Sequence, residues 1–183
     1  MKEYRYAPVS TDEGMVLTGT AIVFDQPTLI HDPAGDYYEV ITRNALDNAD
    51  IGDSTLITEH DSTRIPLART PKTMQLTVTP EGLRMRAELA DTATAHEVYQ
   101  AVQRGDYRGM SFAFTVAEGG SSYDPATNTR TISAIRRVYE LSIVAHPAYA
   151  QTSVEARSQI QQGRDRMEKR RQALIMCNQI IID

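Results

Sequence analysis

The stretch KTMQLTVTPEGLRMRAEL, residues 72 to 89, limits the fold more than any other part of the chain. Met74, Leu76 and Val78 alternate with polar residues, Pro-Glu-Gly supplies a turn, and Leu83, Met85, Ala87 and Leu89 alternate back. A period of two sends alternate side chains to opposite faces, so this segment is an antiparallel hairpin with one face on a core. MVLTGTAIVF (15 to 24) opens with alternation and then becomes nearly continuous in apolar and β-branched residues, as a well-buried strand does. A second hairpin is predicted from GMSFAFTVAE and TRTISAIRRVYELSIVA, joined by the polar loop GGSSYDPATN. The domain is expected to be mainly β, with a largely antiparallel sheet.

Helices are fewer. In TAHEVYQAVQRG, Ala95, Val98, Tyr99 and Val102 share one face, Thr94 with Glu97 fits a capping box, and Gly105 ends the element. TRNALDNA (42 to 49) predicts a shorter helix. After HPAYAQTSVEAR the character changes. Residues 159 to 172 are almost wholly polar, and Ile160, Met167 and Leu174 recur every seven residues, which predicts an extended helix with a thin apolar stripe. From residue 155 on, six basic residues face four acidic ones, so a tail of +2 follows a body of −7. Two units are expected: a β domain over 1–157 and a basic helical tail over 158–183. The last residues, IMCNQIIID, carry enough apolar character to want a docking surface.

Bulk properties remove several classes of function. A net charge of −5 and a pI near 5.4 leave no basic excess for a phosphate backbone, so no nucleic-acid partner is expected. The single cysteine, Cys177, rules out an internal disulfide, a CxxC redox pair and a thiolate zinc cluster, which fits a reducing, intracellular compartment. The N-terminal residues lack the apolar core of a signal peptide, and no run approaches the roughly 18 apolar residues of a membrane span. No membrane partner is therefore expected. No two histidines have metal-site spacing and no glycine loop is built to cradle phosphate, so neither a metal nor a cofactor is expected.

One candidate chemistry is that of a hydroxyl. A serine becomes a nucleophile when a neutral imidazole takes its proton, and that imidazole needs a third group to fix its tautomer and stabilise its charge. Ser111, in YRGMSFAF, follows a glycine turn and leads into an apolar strand. It lacks the second glycine of the Gly-x-Ser-x-Gly elbow, and taken locally it reads as a small residue opening a strand rather than as a nucleophile. Of the four histidines, His96 falls on the polar helix face and His31 in the turn-rich LIHDPAGD, both solvent positions. His60, flanked by Glu59 and Asp61 after STLIT, and His146, in IVAHPAY, each stand at the end of a probable strand, and both compete for a catalytic role. Glu140 interrupts a strongly β stretch, with Val138 on its own face and Tyr139, Leu141 and Ile143 on the other. A carboxylate inside a strand is costly without a partner, and an imidazole, Arg136 or Arg137 would serve.

Taken in order, these segments resemble the prohead protease family of tailed phages, the capsid maturation serine proteases related to herpesvirus assemblin. LTGTAIVFDQPT resembles the family's opening strand, YYEVITRNAL its Glu-x-Ile-x-x-Gly-Ala-Phe segment and LITEHDSTRIPLART its histidine block. TPEGLRMRAEL resembles its Asp-x-x-Gly-Leu hairpin, VQRGDYRGMSFAF its serine block and RVYELSIVAHPAYAQT its Glu-Val-Ser block. The likeness spans residues 15 to 157. NAL replaces Gly-Ala-Phe, and Leu141 replaces Val.

The resemblance implies a compact β-barrel flanked by a few helices, and a serine endopeptidase acting inside the immature capsid in the host cytoplasm. It implies a triad of Ser111, His60 and Glu140, with His146 as the alternative third member because herpesvirus proteases use a second histidine. Arg136 and Arg137 are candidates for oxyanion support. The implied partners are the major capsid protein with its scaffold segment, and the protease itself, through self-cleavage and a homo-oligomer. Two rivals stand beside this reading: a non-catalytic capsid-assembly or scaffold protein of the same fold, and a hydrolase of small esters.

Overall fold

The computed structural model describes residues 3–12, 14–32, 35–145, 166–169 and 172. In chain order the strands are β1 (Glu3–Asp12), β2 (Val16–Val23), β3 (Thr28–Ile30), β4 (Tyr37–Ile41), β5 (Thr55–Thr58) and β6 (Ala68–Arg69). Then follow β7 (Met74–Thr79), β8 (Gly82–Glu88), β9 (Gly109–Val116), β10 (Ser121–Asp124), β11 (Thr129–Ile132) and β12 (Ile135–Val144). Helix α1 (Ala93–Arg104) and a 3-10 turn, Arg43–Leu46, accompany the strands. The protein is mainly β, as expected.

Eight strands form one sheet in the order β6-β5-β12-β9-β1-β2-β8-β7, and four form a second in the order β10-β11-β4-β3. The closed barrel expected from the resemblance is not formed. Its missing seam lies between β6 and β7, which end the large sheet on opposite edges. β6 is only two residues long, and Pro66 and Pro71 stand on either side of it. Proline has no N–H to give to a ladder, so this strand cannot lengthen toward β7.

The hairpin of residues 72–89 forms as predicted, β7 pairing with β8 from Met74↔Ala87 to Thr79↔Gly82. Gly82 closes the turn at φ 159°, and a Cβ there would lie 1.9 Å from the carbonyl oxygen of Ile22. Only glycine permits that approach of β8 to β2. The predicted second hairpin is more elaborate. β9 and β12 do pair antiparallel, but the connection between them carries β10 and β11, and TRTI leaves the main sheet to pair in parallel with β4. A second parallel ladder joins β12 to β5. The N-cap of α1 lies two residues before the predicted one: Thr92 Oγ1 accepts from the Ala95 amide at 3.3 Å. Its buried face is Ala95, Val98 and Val102, and Gly105 ends it in the left-handed region at φ 82°. The helix predicted at 42–49 is the short 3-10 turn. The predicted tail falls outside the described residues except at 166–169 and 172; residues 166–169 are helical, as is 172.

One apolar core gathers residues from β2, β5, β8, β9, β12 and α1, with Leu17, Leu56, Leu83, Phe112, Phe114 and Leu141 among its fully buried members. Phe112 and Phe114 stack with ring centroids 5.1 Å apart. Inside the small sheet, Glu39 of β4 and Arg130 of β11 form an ion pair at 3.0 Å that is shut off from solvent.

Candidate active site

The site is built on β9 and β12, and their register decides which side chains share a face. Ser142 stands opposite Ser111, Leu141 opposite Phe112 and Glu140 opposite Ala113. Cross-strand partners point to the same side, so Ser111, Ala113, Glu140 and Ser142 line one face of the sheet. Phe112, Phe114 and Leu141 line the other, within the core. A β-bulge then breaks the alternation. Val138 pairs with Phe114 and Glu140 with Ala113, leaving Tyr139 as the extra residue. Val138 and Glu140 therefore face opposite sides, contrary to the simple alternation expected from sequence. An unbroken period of two would have put either Val138 among polar groups or Glu140 in the core; the bulge lets each side chain have the face it needs.

His60 reaches this face through a turn. Parallel β5 runs beside β12 from Thr55↔Glu140 to Thr58↔Ile143, and the chain then reverses. The Asp61 amide donates to the Thr58 carbonyl at 2.9 Å, with Glu59 at φ 49° and His60 at φ 57° between them. Two central residues with positive φ mark the type I′ class of turn, ordinarily filled by Asn or Gly. Here both carry long side chains, and each left-handed residue costs about 1 kcal/mol or more. Three hydrogen bonds to the end of β12 hold the turn in place. The Glu59 amide donates to the Ile143 carbonyl (2.9 Å), the His60 amide to Ser142 Oγ (2.8 Å), and the Ala145 amide to Glu59 Oε1 (2.8 Å).

So held, the imidazole of His60 meets Glu140. Nδ1 lies 2.7 Å from Oε1, the side chains 19% and 8% exposed. A carboxylate in this position fixes the tautomer with hydrogen on Nδ1 and leaves Nε2 as the basic nitrogen. Ser111 is 1% exposed, and its hydroxyl makes no hydrogen bond. The loop after His60 is organised by Asp61, whose carboxylate accepts from the Thr63 amide (3.0 Å), the Thr63 hydroxyl (2.5 Å) and Arg64 Nε (3.0 Å). The bonds from Thr63, with a smaller contribution from Arg64, hold its carboxyl below the ordinary range. At the rim, burial pushes the Tyr107 phenol up, the charge of Glu59 adds to that, and Arg64 opposes it.

The other sequence candidates lie elsewhere. His146 is outside the described residues. Arg137 belongs to the opposite end of β12, where its guanidinium meets Asp53 Oδ2 at 3.1 Å and Asp50 Oδ2 at 3.4 Å and stacks over Tyr139. Arg136 is exposed at that same end, and its carbonyl accepts from the Asp50 amide. His31 pairs with Asp36 at 3.0 Å and His96 with Asp91 at 2.7 Å, both at the surface as predicted. No cluster that could hold a metal occurs among the described residues, and none of their helices is long and apolar enough to cross a membrane. Sequence reading missed Ser142 and Glu59. Ser142 sits two residues after Glu140 in YELSIVA, and the period of two was the available signal that it shares Glu140's face.

The His60–Glu140 contact lies on the sheet face that also carries Ser111 of the neighbouring strand, and serine, histidine and carboxylate are the residue types that serine peptidases use. The chain belongs to the caudovirus prohead serine proteases: that family's model matches residues 2–166 of 183. Membership implies a serine peptidase that works with capsid proteins in the procapsid of a tailed phage. No curated protein and no solved structure gave a match.

Proposed function

We propose that this chain is the endopeptidase that matures the phage prohead, with Ser111 as nucleophile, His60 as general base and Glu140 as the group that orients His60. His60 Nε2 takes the hydroxyl proton as Ser111 Oγ attacks the scissile carbonyl, then gives it to the leaving amine; water enters by the reverse sequence and releases the acyl group. Glu140 stabilises the imidazolium formed in between. The observation that carries this reading is the 2.7 Å His60–Glu140 contact on the face that Ser111 shares, in a chain of this family. β9 is paired on both sides, with Tyr6 and Ser142 opposite Ser111, so its amides are committed to ladders. The oxyanion donors then come from outside β9, and with Arg137 held by Asp50 and Asp53, backbone amides are the better candidates.

The proposed substrates are the scaffold segment of the major capsid protein and the chain itself, cleaved within the immature capsid in the host cytoplasm. The basic tail would hold the protease to scaffold helices until self-cleavage frees it. Deleting residues 158–183 should then preserve cleavage of a peptide substrate and abolish incorporation into proheads. The burial of Ser111 favours a second reading, a non-catalytic assembly protein; on the protease reading it marks a closed state that must open to admit a peptide. Co-expression with a capsid protein carrying its scaffold segment separates the two. Wild type should shorten the capsid protein and Ser111→Ala should leave it whole. Full-length capsid protein with both would overturn the protease reading.

A further inference from the structure

The hydroxyl of Ser142 occupies a place that the triad does not account for. Ser142 is fully buried, stands directly across the ladder from Ser111, and accepts the backbone N–H of His60 at 2.8 Å. Its side chain thus ties β12, the strand paired with that of Ser111, to the backbone of His60. The bond falls on a residue at φ 57°, in a turn that two non-glycine residues would leave for a relaxed conformation if it were not held. Glu140 fixes only the ring of His60, through Nδ1. Ring orientation and backbone position are separate requirements, and the second falls to Ser142.

We propose that Ser142 is a positioning residue for the proposed hydrolytic site: its Oγ locks the left-handed backbone of His60 and so sets the distance between the imidazole and Ser111. A buried serine here is more than packing. An alanine fills nearly the same space but removes the acceptor of the part-buried His60 amide, and with it a bond that holds the left-handed backbone of the turn. Displacement of a catalytic base by about 1 Å lowers turnover about 100-fold while substrate binding, made elsewhere, is little changed. The Glu59 bonds to Ile143 and Ala145 keep the turn near the strand, so the expected outcome is misplacement rather than unfolding.

The inference rests on the protease reading, and the test keeps the two apart. Wild type, Ser111→Ala, Ser142→Ala and Ser142→Cys would be compared as full chains. Cysteine keeps the buried volume and supplies only a weak acceptor. Acylation by p-nitrophenyl acetate gives a rate constant and a half-saturation concentration, and proton NMR follows the downfield signal of His60 Nδ1–H bonded to Glu140. Both Ser142 variants should lose about 100-fold in the rate constant, hold half-saturation within about twofold, and broaden or lose the NMR signal. Wild-type rate and signal in Ser142→Ala would overturn the proposal. So would a fully active Ser142→Cys beside an impaired Ser142→Ala, because volume and not the acceptor would then matter. If wild type shows no acylation dependent on Ser111, the protease reading falls instead, and the NMR signal still decides whether Ser142 sets the histidine.

Discussion

Replacing Glu140 by glutamine keeps the shape of the buried carboxylate and removes its charge. Coulomb's law at 2.7 Å, with an effective dielectric constant of about 20, gives about 6 kcal/mol between the carboxylate and a full positive charge on His60. The imidazolium spreads its charge over the ring and the pair is partly exposed, so about 4 kcal/mol of transition-state stabilisation is the working figure. At 1.36 kcal/mol per factor of ten, Glu140→Gln should lower kcat about 1,000-fold. Its melting temperature should stay close to wild type, because in the resting enzyme the amide oxygen can still accept the Nδ1 proton. Cleavage of co-expressed capsid protein, timed by gel, reads the effect, with His146→Ala run beside it. A Glu140→Gln protein within tenfold of wild type would refute the reasoning, and loss only in His146→Ala would transfer the third place to His146.

Three further outcomes are expected of the fold and its charged groups. Gly82→Ala would drive a Cβ to 1.9 Å from the Ile22 carbonyl and should cost more than about 2 kcal/mol, read as a lowered urea midpoint. Glu39→Ala removes the carboxylate from a buried Arg130 and should cost about 3 kcal/mol by the same measurement, whereas replacing both by apolar residues of like volume should cost little. Asp61 and Asp53 are held below their ordinary value of 3.8 by the bonds from Thr63 and Arg69, so the stability they add is present above that value and lost as pH falls through their lowered folded pKa. Circular dichroism at about pH 5 should therefore match that at neutral pH, and a reaction rate that falls in this window reports proton chemistry rather than loss of the loop.

Much of the scaffold is legible locally. The period of two in residues 72–89 identifies its hairpin, and the stripe of Ala95, Val98 and Val102 identifies α1, because each pattern is set by neighbours on one element. The small sheet was not legible, since SSYD and TRTI are short polar strands whose partners, β4 above all, lie far along the chain. The open edge at β6 follows from two prolines visible in the sequence, yet the blocks shared with a known family drew attention toward a closed barrel.

The site divides in the same way. Residue identities by themselves put a serine, a histidine and a carboxylate at strands or strand ends, and made the chain acidic, with a lone cysteine and a basic tail. Only the tertiary structure decided that Glu140 shares the sheet face of Ser111 and does not enter the core, because a bulge is a choice of register between two strands and leaves no mark in either one alone. It also decided that His60 turns back over β12, a left-handed path that no local preference of glutamate or histidine favours and that hydrogen bonds to Ser142, Ile143 and Ala145 impose.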